Sequence, residues 1–184
     1  MTISFNAVRV ILYNWATANV PAGMPVIMLN QNAPQPTNNG IPLDYVTIYI
    51  TSVVQIGRDW TQEPLANDGI SNMVGDREFT LQLMAYGGDP LTVLENLRTS
   101  LQAQPVLANL AAQGLVYVDW YPIVDVTEVI DSRFQNRGSW DSRWRLSQNY
   151  TENIGVISST VVTGTVFEPT GTVAFTENFT IPQP

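Results

Sequence analysis

The order of apolar and polar residues along the chain predicts a helix near its beginning. Apolar residues recur at helical spacing over residues 3–18 and form two adjoining stripes. The first stripe holds Ile3, Ala7, Val10, Ile11 and Ala18, and the second holds Phe5, Val8, Leu12 and Trp15. A surface helix usually has one apolar stripe of about 100°. We therefore expect this helix either to have two packing partners, its own sheet and a neighbouring subunit, or to be a buried core helix.

Three further segments have the patterns of β-strands. Residues 25–29 are a short apolar run, and residues 43–56 alternate between a polar-aromatic face and an aliphatic face. Residues 57–75 are rich in turn-forming residues, and residues 76–86 alternate again. The two alternating segments are predicted to pair as a long β-hairpin.

A second helix is predicted after two glycines, with Asp89 as its N-cap and Pro90 at its first position. Leucines recur at helical spacing from residue 91 to 101, and Pro105 ends or interrupts the helix before a short helical turn over residues 106–112. Strand patterns follow at residues 115–124, 140–150 and 156–167. Because Pro122 has no N–H, we expect the first of these strands to lie at a sheet edge or to bend.

The last fifteen or so residues have no helix signal and contain short apolar bursts. They are predicted to be either a frayed tail or an arm that adds to the sheet edge of another subunit. The arm is favoured, because the segment is too apolar for a freely solvated tail. Its apolar residues are Val173, Phe175, Phe179 and Ile181.

Together these elements predict an α+β fold. We expect a mixed, mainly antiparallel sheet with a long β-hairpin, packed against two main helices, and an extended C-terminal β arm. A chain of 184 residues fits one domain of ordinary size. The expected division is a domain over residues 1–164 and a C-terminal extension or arm over residues 165–184.

The composition excludes most catalytic and cofactor chemistry. The chain has no Cys and no His, and all eight basic residues are Arg. It therefore lacks thiolate and imidazole metal ligands, cysteine nucleophiles, histidine general bases and Schiff-base lysines. We expect no enzymatic activity, no cofactor and no metal.

The formal net charge of −8 has the wrong sign for a protein that grips DNA. Residues 131–145 are the exception, with four arginines and two aspartates. We interpret these arginines as partners for acidic residues of an adjacent subunit in preference to DNA phosphates. No run of 18 apolar residues occurs, so no membrane span is expected.

Two groups of carboxylates are weak candidates for chemistry. Asp76 and Glu78 are two residues apart on a predicted strand and form the best local pair for glycosidase chemistry, although a solvated strand end is the commoner explanation. Asp59, Glu63 and Asp68 share a predicted loop that could hold Ca²⁺, but their spacing matches no known calcium loop.

The aromatic residues of the chain raise the possibility of a glycan-binding surface. Alternating aromatics lie more often in cores or interfaces, so this is the weaker interpretation. The residues concerned are Trp60, Trp120, Tyr121, Trp140 and Trp144.

Four segments resemble the phage neck or tail terminator family. The clearest are residues 26–36 (VIMLNQNAPQP), which lead into PLDYV at residues 42–46, and residues 77–87 (REFTLQLMAYG). Asn14-Trp15 and residues 137–155 are similar but less specific. The resemblance covers residues 3–164 and has no counterpart for the C-terminal extension.

This resemblance implies a structural virion protein of the tail–neck junction, assembled in the bacterial host cytoplasm. Such proteins form hexameric rings that cap the tail tube, stop its polymerisation and dock it to the head connector. The implied partners are other copies of the chain, the tail tube protein, the sheath and the neck or connector proteins, with duplex DNA passing through the lumen without specific binding. A head-closure or connector protein is the first alternative, and a glycan-binding virion module is the second.

The residues expected to contact neighbouring subunits come from three places in the chain. They lie on one stripe of the first helix, in the basic segment and in the C-terminal arm. The candidates are Phe5, Val8, Leu12, Trp15, Arg133, Arg137, Arg143, Arg145, Phe175 and Phe179.

Overall fold

A long antiparallel hairpin lies at the centre of the sheet. The structure, a computed structural model, describes residues 4–29, 37–38, 41–42, 44–62, 70–130, 133–153, 159–167, 170–171 and 173–182. The chain forms two compact units: the first is Met1–Trp60 with Val74–Tyr150, and the second is Thr61–Met73 with Thr151–Pro184.

The described elements are three helices and twelve strands. The helices are α1 (Phe5–Asn19), α2 (Pro90–Ser100) and α3 (Gln104–Ala112). The strands are β1 (Val26–Met28), β2 (Thr37–Asn38), β3 (Ile41–Pro42), β4 (Tyr45–Gln62), β5 (Ile70–Tyr86), β6 (Leu115–Trp120), β7 (Val124–Asp125), β8 (Glu128–Ile130), β9 (Arg133–Gln135), β10 (Arg137–Asn153), β11 (Ser159–Phe167) and β12 (Val173–Pro182).

The main sheet has the strand order β1-β4-β5-β10-β6, and β7 also pairs with β10. β1 runs parallel to β4, whereas β6 and β7 run antiparallel to β10. Three small antiparallel hairpins accompany it: β2–β3, β8–β9 and β11–β12. The predicted α+β fold with a mixed, mainly antiparallel sheet is confirmed.

The helices cover one face of this sheet, and the core lies between the two layers. Alternate residues of the central strands are buried there, because successive side chains of a strand point to opposite faces. On β10 the predicted alternation is confirmed: Trp140, Ser142 and Trp144 are fully buried. On β5 the buried positions include Phe79, Leu81, Leu83 and Ala85.

Trp144 is the centre of an aromatic cluster within this core. Its ring contacts those of Trp15, Phe79 and Tyr117 at centroid distances of 5.7, 6.4 and 5.4 Å. Its indole Nε1 donates to the hydroxyl of Ser142 at 2.9 Å, so the buried N–H is satisfied. Burial raises the pKa of Tyr117 to about 12, and this phenol therefore remains neutral.

Both main helices begin at capping residues. The Ser4 hydroxyl accepts from the backbone N–H of Ala7 at 3.2 Å and starts α1. The predicted cap of α2 is confirmed, because the Asp89 carboxylate accepts from the N–H of Thr92 at 3.2 Å and Pro90 occupies the first turn. Such a cap contributes about 1 kcal/mol. The indole of Trp15 donates to the Ser100 hydroxyl at 3.1 Å and joins α1 to the end of α2.

The central hairpin is longer than predicted. Residues 57–62 and 70–75 were expected in a loop, but they continue β4 and β5. The pair Arg77 and Asp59 joins the two strands here at 2.7 Å, and Thr61 donates to the sulfur of Met73 at 3.4 Å. Turn-forming residues therefore lie in paired strands, because cross-strand contacts outweigh their local preference.

Two further differences lie between residues 115 and 135. The predicted strand over residues 115–124 is divided into β6 and β7 on either side of Pro122, and both pair at the edge of β10. The β8–β9 hairpin, with Val129 paired to Phe134, was not predicted. Strands of three residues are too short to show an alternating pattern.

Candidate assembly surfaces

The sheet face opposite the helices, here called the open face, is polar and aromatic. It carries Tyr45 on β4 and Tyr86 on β5, whose rings stack at 4.4 Å and are 8° from parallel. The guanidinium of Arg137 lies 4.8 Å above the Tyr86 ring and is paired with Glu128 at 2.5 Å. Burial, followed by the charge interaction with Tyr86, raises the pKa of Tyr45. These contacts fix the beginning of β10 against the central hairpin.

A second group on the open face is an ion-pair network around Glu78. Its carboxylate pairs with Arg145 at 3.0 Å and with Arg143 at 3.7 Å. Arg143 also donates to Asp119 at 2.8 Å, and this hydrogen bond lowers the pKa of Asp119. The network joins β5, β10 and β6 and uses two of the four arginines expected to contact another subunit.

A third group lies farther along the central hairpin. Arg77 donates both terminal nitrogens to the Asp59 carboxylate at 2.7 Å, and the Tyr150 hydroxyl bonds to the same carboxylate at 3.1 Å. The hydrogen bonds from Arg77 lower the pKa of Asp59 despite an opposing effect of desolvation. Asp59 is thus committed to an ion pair, although it was considered as a calcium ligand.

An open groove of about 650 Å³ runs along the β1 edge of the sheet. α1 forms one wall, and β1 and β4 form the other. The apolar side chains in the lining include Val10, Tyr13, Val26, Met28 and Ile50. Val10 is 58% exposed and Tyr13 is 38% exposed, so this surface is apolar and uncovered in the described part of the chain.

The opposite edge of the sheet is also apolar. β6 and the following residues expose Val116, Trp120, Tyr121 and Val124. The guanidinium of Arg98 lies 4.6 Å from the Trp120 ring and covers part of it. The β8–β9 hairpin next to this edge exposes Phe134 and Val129 by 80% and 60%, respectively.

A family model described as phage neck terminator protein matches residues 6–170. The chain belongs to this family. The match spans nearly the whole of the first unit and ends in the turn between β11 and β12. A search of curated proteins found no match to the chain.

Membership of the neck terminator family gives the chain a structural role in the phage virion. The predicted resemblance is confirmed, and the family implies contacts with other proteins of the tail and neck. None of the described helices combines the length and apolarity needed to span a bilayer. No group of side chains suited to a metal ion occurs among the described residues.

The α1 residues proposed as contacts lie inside this neck terminator subunit. Val8 and Leu12 are fully buried and Trp15 is 6% exposed, while Phe5 packs against Phe79 at 6.2 Å. They face the sheet of their own chain and have little surface left for a partner. A contact made by α1 with another subunit therefore requires its other stripe, which holds Val10.

The basic segment is also engaged within the chain. Arg137, Arg143 and Arg145 all pair with carboxylates of their own subunit. Arg133 lies in β9, and its side chain is outside the described part. Phe175 and Phe179 lie in β12, paired in register with Val166 and Val162, and their side chains are likewise not described.

The remaining candidates divide between core and surface. Trp140 and Trp144 are fully buried, so the glycan-binding interpretation was wrong for these two residues. Trp60, Trp120 and Tyr121 are exposed. The proposed catalytic partner Glu78 is held by two arginines, and the proposed calcium ligands Glu63 and Asp68 lie outside the described residues.

Sequence patterns missed Phe134, the most exposed of the large apolar side chains in the described part of the chain. A single phenylalanine between polar residues gives no periodic signal. The ion pairs of Glu78 with Arg143 and Arg145 were also not predicted from the sequence. Strand alternation places Glu78, Arg143 and Arg145 opposite the core, but it does not show that β5 and β10 are neighbours.

Proposed function

We propose that the chain assembles into a ring, hexameric as the family resemblance implies, at the head-proximal end of the phage tail. The ring caps the completed tail tube, stops its polymerisation and joins it to the connector proteins of the neck. Its partners are further copies of the chain, the tail tube protein, the sheath in a contractile tail, and the neck proteins. Assembly takes place in the host cytoplasm.

The two different lateral edges of the main sheet carry this proposal. In the described part of the chain, β1 pairs only with β4, and β6 pairs only with β10. An unpaired strand edge is a surface that proteins normally cover. Because one edge is bordered by α1 and the other by the β8–β9 hairpin, the two surfaces are not alike. Contacts between unlike surfaces run head to tail and close into a ring when the rotation permits.

The charge distribution supports passage of DNA through the lumen without tight binding. Five of the eight arginines pair with carboxylates of the same chain: Arg77, Arg98, Arg137, Arg143 and Arg145. At most three arginines, Arg9, Arg58 and Arg133, are left to displace counterions from a phosphate backbone, and the net charge is −8. We expect carboxylates to line the lumen, and a basic lumen in a ring reconstruction would contradict this.

Residues 165–184, which hold the end of β11 and all of β12, are proposed as an assembly arm that follows a ring-forming domain over residues 1–164. A two-stranded hairpin alone is marginally stable in water, so strands of nine and ten residues benefit from a covering partner. Residues 165–184, including Phe175 and Phe179, would add to a sheet edge of a neighbouring protein. Residues 146–184 contain three glutamates and no basic residue, which favours a basic or neutral partner surface.

The capping activity can be tested on tail tubes of the phage that encodes this chain. Purified protein is added to tube protein during polymerisation, and the tube ends are imaged by negative stain. We expect a ring at one end of each tube and no further growth from that end. Tubes that keep growing with bare ends at saturating protein would contradict the proposal.

A further inference from the structure

The β8–β9 hairpin has the features of a docking element. Val129 and Phe134 form a cross-strand pair and are 60% and 80% exposed. Aromatic side chains that insert into a partner's pocket are the usual anchors of protein interfaces. An exposed apolar pair on a short hairpin therefore indicates an interface more strongly than a single exposed apolar residue does.

The base of this hairpin is rigidly held. Arg137 pairs with Glu128 at one end, and its backbone N–H donates to the Thr127 hydroxyl at 3.3 Å. The Thr127 N–H donates to the Asp125 carboxylate at 2.9 Å, and the N–H of Val126 donates to the Arg137 carbonyl at 2.9 Å. A fixed base presents the apolar pair with little loss of conformational entropy on binding.

The groove beside α1 is a matching acceptor at the opposite edge of the sheet. Four strand-to-strand steps separate β1 from β6, which corresponds to about 19 Å. Its volume of about 650 Å³ is within the range of about 300–1,000 Å³ that holds compact ligands, so it can take large side chains. Donor and acceptor surfaces on opposite edges suit neighbours placed side by side.

One ion pair can also form between the two surfaces, from Asp125 to Arg9. Asp125 lies just before the hairpin, which itself contains Glu128, Asp131 and Arg133. Glu128 is already paired with Arg137. At the groove, Arg9 is the only charged residue among residues 1–43. Arg9 lines the groove, and its guanidinium donates to the Asn6 side chain at 3.1 Å. Neither Arg9 nor Asp125 has an ion pair in the described part of the chain. Each can therefore pair across a contact between copies.

We infer that the β8–β9 hairpin of one copy inserts Phe134 and Val129 into the groove between α1 and β1 of the next copy. The inference rests on the ring proposed above and identifies the residues that close it. The contact is head to tail, so every copy donates one hairpin and accepts another. Repetition of the same contact around an axis produces the ring.

Cysteine cross-linking tests this contact directly, because the chain has no native Cys. The variants Val10→Cys and Phe134→Cys are mixed and oxidised. We expect disulfide-linked dimers in the mixture and a ladder of covalent oligomers from the double variant. A disulfide requires Cα atoms within about 7 Å, which the two edges of one chain do not meet. Val54→Cys, at an equally exposed valine outside the groove, replaces Val10→Cys as the control and should not link to Phe134→Cys.

A second variant measures how much Phe134 contributes to the affinity of self-association. Phe134→Asp should raise the dissociation constant for self-association roughly 30-fold or more, as loss of an interface anchor does. Val54→Asp should leave it unchanged. Sedimentation velocity over a concentration series measures both. Thermal unfolding of each variant at low concentration should match the parent chain, because both side chains are exposed.

Four outcomes would overturn the inference. Rings of unchanged size in Phe134→Asp, with no link between positions 10 and 134, would overturn it and leave the ring itself intact. Links of position 10 to itself would indicate a two-fold contact, and links of position 10 to Phe179→Cys would indicate that the C-terminal arm fills the groove; both overturn it. A parent chain that stays monomeric at every concentration and on tube ends would count against the proposed function as well.

Discussion

At the scale of single residues, two glycines show how closely the backbone approaches a side chain. Gly87 and Gly88 have positive φ angles of 82° and 29° where β5 leads into α2. A Cβ at Gly87 would lie 2.0 Å from a carboxylate oxygen of Asp44, at the start of β4. The turn therefore needs glycine for both its conformation and its space.

A comparison of two glycine substitutions separates these requirements. Gly23→Ala has the same positive φ but open space around it, so it should cost about 1–2 kcal/mol. Gly87→Ala should cost a further ~1–3 kcal/mol, because Asp44 must move. Chemical denaturation of dilute protein measures both free energies of unfolding. Equal losses for the two variants would contradict the close approach.

The ion pair of Asp59 with Arg77 should make the folding stability of the chain depend on pH in acid. Its pKa in the folded chain is below its ordinary value, chiefly because Arg77 donates hydrogen bonds to it. A depressed pKa contributes stability above the unfolded pKa of about 3.9, and this contribution is lost as the pH falls through the folded pKa. Asp59→Asn should therefore lower the melting temperature at pH 7 and reduce its decline below about pH 4.

Thermal melts from pH 7 to about pH 2.5 check this prediction. Asp76→Asn is the matched control, because it removes a nearby carboxylate on β5 and leaves the hydrogen bonds between Arg77 and Asp59 in place. The control should decline with acid like the parent chain. An identical acid decline for Asp59→Asn and the parent would contradict the account.

At the scale of elements, α1 has two faces with different tasks. Leu12 is fully buried against the sheet, and Val10 is 58% exposed beside the groove. Leu12→Ala should cost about 2–5 kcal/mol of unfolding free energy. Val10→Ala should change the stability of the dilute chain by less than about 0.5 kcal/mol. Chemical denaturation of both variants measures their unfolding free energies. Similar losses for the two variants would contradict the assignment of Leu12 to the buried face and Val10 to the exposed face.

The sequence was sufficient for elements with long periodic patterns and insufficient for contacts between them. The two stripes of α1 were visible, but only the packed structure shows that the stripe of Val8 and Leu12 faces the chain's own core. The cap at Asp89 was predictable because capping is local. The pairing of Arg143 with Glu78 depends on residues 65 positions apart and on the order of strands in the sheet, which no local pattern determines.

The role of the β11–β12 hairpin in assembly can be tested separately from the stability of the first unit. Phe175→Ser combined with Phe179→Ser should weaken attachment to rings or tube ends if β12 serves as the assembly arm. The melting transition of the dilute chain should persist, because the main core lies in the first unit. Thr180→Ala on the same strand is the control. Co-sedimentation with tail tubes measures attachment. Unchanged binding of the double variant would show that β12 is not an assembly arm.

At the scale of the whole molecule, the first unit has a hydrophobic core among the described residues, and the two edges of the main sheet carry unlike surfaces. The chain belongs to a family of phage neck proteins. The sheet edges at β1 and β6, which pair with no further strand in the described part of the chain, favour contacts with other subunits. Ion pairs within the chain occupy most of the arginines, so association must rely mainly on apolar contacts and strand edges. Self-association should therefore depend weakly on salt, in contrast to an interface made of surface charges.

The mass of the assembled particle shows whether the chain forms a closed hexameric ring. Native mass spectrometry of the purified chain, over a range of concentrations and in the presence of tail tube ends, distinguishes a closed ring from other states. We expect a closed species of six times the 20.4 kDa chain mass, with few larger or intermediate species. A particle that remains at 20.4 kDa under all these conditions, or an open series of ever larger oligomers, would contradict it.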